Sequence, residues 1–239
     1  PCIVDESADI RAAARRIAFG KALNAGQTCV APDYVLAHSS IREKLMDEIA
    51  ACWMEFYGNA LENPDWPRMI APRHYVRAMG LLQGESIYFG GMGDGMRIAP
   101  TILDKATWAS PVMQEEIFAP ILPVLSYDRL DDALLQIASR EKPLALYLFT
   151  RRSAVREKVL STLSFGGGCI NDTVMHLSSP RLPFGGVGES GMGRYHGKYS
   201  FDTFSHEKSI LKKGRFPDFR FRYPPLTGKK LELVKKFLK

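Results

Sequence analysis

The sequence has no CxxC pair, no HExxH or HxH spacing, and no histidine within a few residues of a second soft ligand. Its four cysteines, at positions 2, 29, 52 and 169, share no regular spacing. Neither a disulfide framework nor a zinc knuckle is therefore expected, and the reading is a metal-free protein of a reducing, cytoplasmic compartment. Apolar runs stay well short of the roughly 18 residues that a membrane-spanning helix needs. The front of the chain shows no basic, then apolar, then small-residue leader, so a freshly secreted protein is not expected. The sequence opens on Pro1, and Cys2-Ile3-Val4 reads as the end of a buried strand, so it is read as starting partway through a longer polypeptide.

Charge of one sign is scarce except at one end. The formal charge is +6, but residues 210–239 carry ten Lys or Arg against two acids, leaving the other 209 residues at −2. A basic tail can contact an anionic surface or a partner subunit, and most often it is simply solvated. Binding to nucleic acid is not expected. In LELVKKFLK at 231–239, Leu231, Val234 and Leu238 fall on one helical face with lysines elsewhere. Peripheral membrane contact through this face is conceivable, with a solvated helix the favoured reading.

What the sequence does have is the balance of a soluble domain with a sizeable core: 239 residues, 46% hydrophobic and 24% charged. Helical and strand periods alternate, which predicts a three-layer αβα fold around a mostly parallel sheet. Helices are predicted over 7–23, 40–56, 74–83, 130–138 and 154–162. Strands are predicted over 34–36, 86–89, 97–103, 121–125, 144–149 and 167–170. Three prolines mark 63–72 as a loop, and Gly and Pro mark 178–197 as irregular. The division follows as one domain over 1–205 and a basic tail over 206–239.

The helix over 7–23 should stop near Gly26, which puts Cys29 on a turn where backbone N–H groups can face a bound oxygen. A thiolate is the strongest common side-chain nucleophile at neutral pH, and such donors would hold the oxyanion formed on attacking a carbonyl. An isolated cysteine is nonetheless usually a small buried hydrophobe. Glu115-Glu116 is by itself a solvated acidic pair before a strand. His176, His196 and His206 could each be imagined as a base for Cys29, although loop histidines mostly hydrogen-bond locally. The run from Gly186 to Gly191 satisfies GxGxxG but lacks a following helix, and is read as a packing loop. Gly188-Glu189-Ser190-Gly191-Met192 ends in Met where a serine-hydrolase elbow needs Gly. Cys169 sits in a presumed strand and is read as structural.

Read together, these segments resemble the aldehyde dehydrogenase superfamily. NAGQTCVAP at 24–32 is similar to its active-site cysteine signature, and PVMQEEIFAP at 111–120 to its Glu-Glu-Ile-Phe-Gly-Pro segment. REKPLALY at 140–147, GGCINDTVMH at 167–176, LPFGGVGESGMGRYHG at 182–197, FDTFSH at 201–206 and RYPP at 222–225 resemble the class 3 branch. The resemblance implies oxidation of aldehydes to carboxylic acids with NAD⁺ or NADP⁺. Cys29 would form a thiohemiacetal and, after hydride loss to nicotinamide, a thioester that water hydrolyses. Glu116 would hydrogen-bond the nicotinamide ribose and Phe118 would pack against ribose and ring. The segment 173–184 would adjoin the substrate. Ala119 departs from the family's Gly, which bears on cofactor affinity.

The resemblance also implies medium or long aliphatic and aromatic aldehyde substrates and a homodimer, with the tail at the subunit interface. It places the deacylating glutamate in a Leu-Glu-Leu-Gly-Gly-Lys segment just upstream of Pro1, and the nucleotide-binding domain upstream as well, so this chain alone is expected to be inactive. Two alternatives stand beside it: acyl transfer to a thiol or ester hydrolysis through Cys29, and a truncated, non-catalytic dimerisation module.

Overall fold

The computed structural model of the chain describes residues 1–237. It divides into two compact units, residues 1–204 and the described residues from 205 on.

Seven strands form the sheet of the first unit: β1 (Cys2–Val4), β2 (Val35–His38), β3 (Ser86–Phe89), β4 (Thr101–Asp104), β5 (Ile121–Tyr127), β6 (Ala145–Phe149) and β7 (Gly167–Ile170), in the order β3-β4-β5-β2-β1-β6-β7. Every pairing is parallel except β3 with β4. The helices are α1 (Ile10–Ala22), α2 (Arg42–Tyr57), α3 (Pro72–Gly80), α4 (Leu130–Ala138), α5 (Ser153–Thr162) and α6 (Gly197–Thr203).

Strand alternation sends successive side chains to opposite faces and so builds two cores. Cys2, Val4, Val35, Val124, Tyr147 and Phe149 meet α1 and α2 through Ile17, Leu45, Ile49 and Trp53. Ile3, Leu36, Leu125, Leu146 and Leu148 meet α3, α4 and α5 through Ala78, Leu134, Ile137 and Val159. Helices on both faces of a mostly parallel sheet make the three layers that the alternating pattern predicts. The Trp53 indole N–H donates to the Ala18 carbonyl at 2.9 Å and locks α1 to α2.

Several boundaries differ from the sequence reading. The strand expected from 97 begins at Thr101, because Ile98 bridges back to Gly93 and Pro100 has no N–H to give a ladder. Within 178–197 the chain is irregular, with Phe184 and Tyr195 bridging its two limbs. The GxGxxG run is followed by no helix before α6, and the Ser190 hydroxyl donates to Val187 O at 3.0 Å and accepts from Val187 N at 2.9 Å, closing a local turn.

The second unit carries a short helical turn at Arg220–Arg222 and α7 (Lys229–Phe237). Leu231 and Val234 lie on α7; Leu238 of the expected apolar stripe lies outside the described residues. Among the described residues no helix is long and apolar enough to cross a membrane.

Candidate active site

The turn after α1 carries two consecutive left-handed residues that are not glycine. Leu23 closes the helix, and Asn24 and Ala25 then take left-handed conformations (φ 51° and 52°) before Gly26 at φ 72°. Left-handed backbone costs a non-glycine residue about 1–2 kcal/mol, so two in succession need external restraint. One restraint is packing: a Cβ on Gly26 would come within 2.4 Å of the Ala119 carbonyl oxygen, so only glycine fits where the turn meets the loop after Ile117. Others are hydrogen bonds. Asn24 Nδ2 donates to Gln27 O at 3.1 Å, Gln27 N donates to Asn24 O at 3.1 Å, and Ala31 N donates to Thr28 O at 2.9 Å. Beyond the turn, the Tyr147 hydroxyl donates to Val30 O at 2.5 Å from strand β6.

This scaffold leaves Cys29 exposed while the neighbouring Val30 and Ala25 are buried. Cys29 lines a cavity of about 750 Å³ whose walls also include Thr28, Asp33, Glu116 and Phe118. The three residues singled out from sequence, with Cys29 and Glu116 lying 87 positions apart along the chain, therefore open onto one space.

The loop carrying Glu116 and Phe118 is tied from two sides. Asp33 accepts the Ile117 N–H at 3.1 Å. Arg77 of α3 donates to the Glu115 carboxylate at 2.9 Å, to Glu116 O at 3.3 Å and to Ile117 O. Phe118 is left-handed (φ 48°), and the residue stays 39% exposed and lines the cavity. The residue in the strained conformation is thus Phe118 and not Ala119, so the methyl that replaces the family's glycine meets no left-handed requirement and is fully buried. Burial pushes the Glu116 carboxyl above the ordinary glutamate range and Asp33 adds to this, while Lys21 and Arg77 pull it back.

Sequence reading passed over Lys21. It is fully buried near the end of α1, its Nζ has no hydrogen-bond partner, and burial brings its ammonium down to about 8 against the pull of Asp33 and Glu116. Its position four residues after Ile17 and three after Ala18 puts it on the buried face, a signal the helical period contained. Arg77, Asp33 and Gln27 were also missed; each acts through backbone groups that no side-chain pattern announces.

No histidine hydrogen-bonds to Cys29 among the described residues. His176 instead places Nδ1 3.5 Å from the Cys169 sulfur, with Nε2 buried and unpartnered. His196 stacks on Phe184 with its Nδ1 buried and unpartnered, and His206 is exposed in the second unit. Among the described residues no three His, Cys, Asp or Glu side chains gather as a metal site.

Against known proteins, residues 1–210 match the model of the aldehyde dehydrogenase family. The chain is 48% identical to aldehyde dehydrogenase family 3 member A2 of Mus musculus, over 100% of this chain and 50% of the relative. It is 46% identical to the dimeric NADP-preferring aldehyde dehydrogenase of Canis lupus familiaris, over 96% of this chain and 52% of the relative. A solved structure described as the substrate-bound state of Staphylococcus aureus AldH superposes with a TM-score of 0.93 at 51% identity, over 100% of this chain and 53% of that one. The chain spans about half the length of the curated relatives it matches. Fold, cysteine turn and family match agree along the whole first unit, and the chain belongs to the aldehyde dehydrogenase family.

Proposed function

We infer that the whole protein oxidises aldehydes to carboxylic acids with NAD⁺ or NADP⁺, through a thioester on Cys29. The observation that carries this reading is the shared cavity: an exposed thiol on a restrained turn faces the same space as the Glu116 carboxylate and an exposed aromatic ring.

The thiolate of Cys29 attacks the aldehyde carbonyl, and the backbone of the restrained turn offers N–H groups to the oxyanion that forms. The residues of the cavity suit a nicotinamide riboside. Glu116 is an acceptor-only side chain with two oxygens, which matches a vicinal diol, and Phe118 presents an apolar face held out by strained backbone. Bound there, the cofactor supplies the acceptor for the hydride released from the thiohemiacetal. Lys21 and Arg77 favour the ionised, accepting form of Glu116, opposing the burial and the Asp33 charge that raise it.

Medium or long aliphatic and aromatic aldehydes are the substrate class this reading assigns. Phe19 and Leu23, one helical turn apart on the approach to the thiol turn, are 45% and 41% exposed. Gly20 between them packs against Thr173, where a Cβ would lie 2.5 Å from Oγ1, and the segment that follows exposes Met175 and Leu177. Four exposed apolar side chains on the helix that leads into the thiol turn and on the segment its Gly20 packs against fit an apolar substrate. A homodimer with the basic tail at the subunit interface, in the cytoplasm, completes the proposal.

The test is reduced-nicotinamide formation by the whole gene product over a panel of aldehydes with each cofactor, beside a Cys29→Ser variant. Turnover that vanishes in the variant supports the thioester dehydrogenase. A folded wild type that yields acyl-thiol or hydrolysed ester, and no reduced nicotinamide, sinks it in favour of acyl transfer or esterolysis.

A further inference from the structure

Gln27 stands two residues before the thiol, and its side chain spends its carboxamide on three backbone groups. Nε2 donates to Asn24 O and to Arg68 O, both at 3.1 Å, and Oε1 accepts from Ile70 N at 2.9 Å. The orientation of the amide is fixed by these partners, since the flipped form would set its oxygen against two carbonyls and its NH₂ against an N–H. The first contact closes the turn on itself at left-handed Asn24. The other two fasten the turn to 68–70, a stretch of loop in which Met69 is buried and its neighbours are exposed.

That stretch runs directly into α3, which begins at Pro72 and carries Arg77. Arg77 in turn holds the backbone of Glu116 and Ile117. One continuous segment, 68–80, therefore grips the cysteine turn at one end and the Glu116 loop at the other. We propose that Gln27 is a positioning residue for the nucleophile, clamping the cysteine turn to this segment so that the thiol keeps a fixed offset from the cofactor-side loop. The proposal rests on the reading of Cys29 as the nucleophile.

The chemistry explains why the residue is an amide. Methionine fills the same length but makes none of the three bonds. Glutamate keeps the acceptor for Ile70 N–H but turns a carboxylate oxygen toward the Asn24 and Arg68 carbonyls, replacing two attractions by two repulsions. If Gln27 only filled space, glutamate would be nearly silent. If it holds the turn by donating, glutamate must fail as methionine does.

The experiment compares Gln27→Met and Gln27→Glu with wild type in the full-length protein, reading steady-state kinetics, thermal melting, and the pH–rate profile of iodoacetamide alkylation at Cys29 by mass spectrometry. A displacement of the reacting atom by an ångström costs about a hundredfold, so kcat is expected to fall by between roughly tenfold and a hundredfold in both variants, with cofactor KM within about twofold. The alkylation profile should shift in both, measured well below the melting transition. Wild-type kcat in Gln27→Glu, a rise in cofactor KM in place of the fall in kcat, or an unaltered alkylation profile would each overturn the proposal. Should the wild type oxidise no aldehyde, the dehydrogenase reading fails by itself, and the alkylation profiles still decide the clamp: shifted in both variants, it stands; unaltered, it falls.

Discussion

Two cysteines of this chain sit in opposite circumstances. Cys169, on β7, has the partner a thiol nucleophile is usually given, an imidazole nitrogen 3.5 Å from its sulfur. Yet burial raises the Cys169 thiol and lowers the His176 imidazole, so both shifts favour the neutral S–H and neutral ring over a thiolate–imidazolium pair. Among the described residues Cys29 has no histidine partner, but it has exposure, a cavity and a strained turn. Hydrogen-bond pairing alone does not make a nucleophile. On the proposed reading, access for the substrate and a backbone that can face the developing charge are what separate Cys29 from Cys169. The imagined Cys-His arrangement exists in this fold, at the other cysteine.

The sharpest way to break this contrast is Cys29→Ser. Aldehyde-dependent formation of reduced nicotinamide by the whole protein should drop by more than about a thousandfold, as for loss of a nucleophile elsewhere. Retention of turnover would transfer the chemistry to another residue, with Cys169 first in line.

Gly26→Ala tests the turn instead of the thiol. The added methyl meets the Ala119 carbonyl oxygen at 2.4 Å and must also be carried at φ 72°. Left-handed strain and backbone overpacking together should cost about 3 kcal/mol in urea unfolding. A loss below about 0.5 kcal/mol, within the range of a neutral surface change, would show that the two loops are not tightly apposed.

Much of the architecture could be read from the sequence. β3, β7 and α4 lie within the bounds the pattern sets, because turn residues flank a short strand or helical run on both sides. Strand direction was less accessible, though the 90–100 connection held a clue: it has no room for the crossover helix that a parallel pair needs, and β3 and β4 are antiparallel. α6 escaped notice because Gly197 begins it and none of its residues is buried, so it shows no apolar stripe; its Lys198–Asp202 pair at i,i+4 was the available sign. At the site, Cys29, Glu116 and Phe118 stand out only through their flanking motifs. Gln27, Asp33 and Arg77 position those motifs through backbone contacts, and such contacts leave no trace in a linear pattern; Lys21 alone was betrayed by the helical period of α1.

A titration sharpens the contrast further. On the proposed reading the ionised Glu116 accepts from both ribose hydroxyls more strongly than its protonated form does, and its raised carboxyl loses that charge at a higher pH than an ordinary glutamate does. Cofactor KM should therefore rise as pH falls toward that range, starting above the usual carboxylate titration. Glu116→Gln should raise cofactor KM about tenfold at neutral pH and remove the acid limb, since an amide carries no such proton. A limb that persists in the variant belongs to another group and would detach Glu116 from the cofactor.

The smallest effect is expected at the more conventional-looking pair. Cys169→Ala removes one half-buried sulfur and one weak contact to His176, neither of which opens onto the cavity that Cys29 lines. Turnover and the alkylation rate at Cys29 should stay within about twofold of wild type, with stability lower by about 1 kcal/mol from the lost packing and the freed imidazole nitrogen. In the wild type, iodoacetamide at neutral pH should label Cys29 well before Cys169, because burial keeps the latter protonated. If Cys169→Ala abolishes turnover as completely as Cys29→Ser, or if Cys169 is labelled first, then imidazole pairing outweighs access in this fold and the ranking of the two cysteines is reversed.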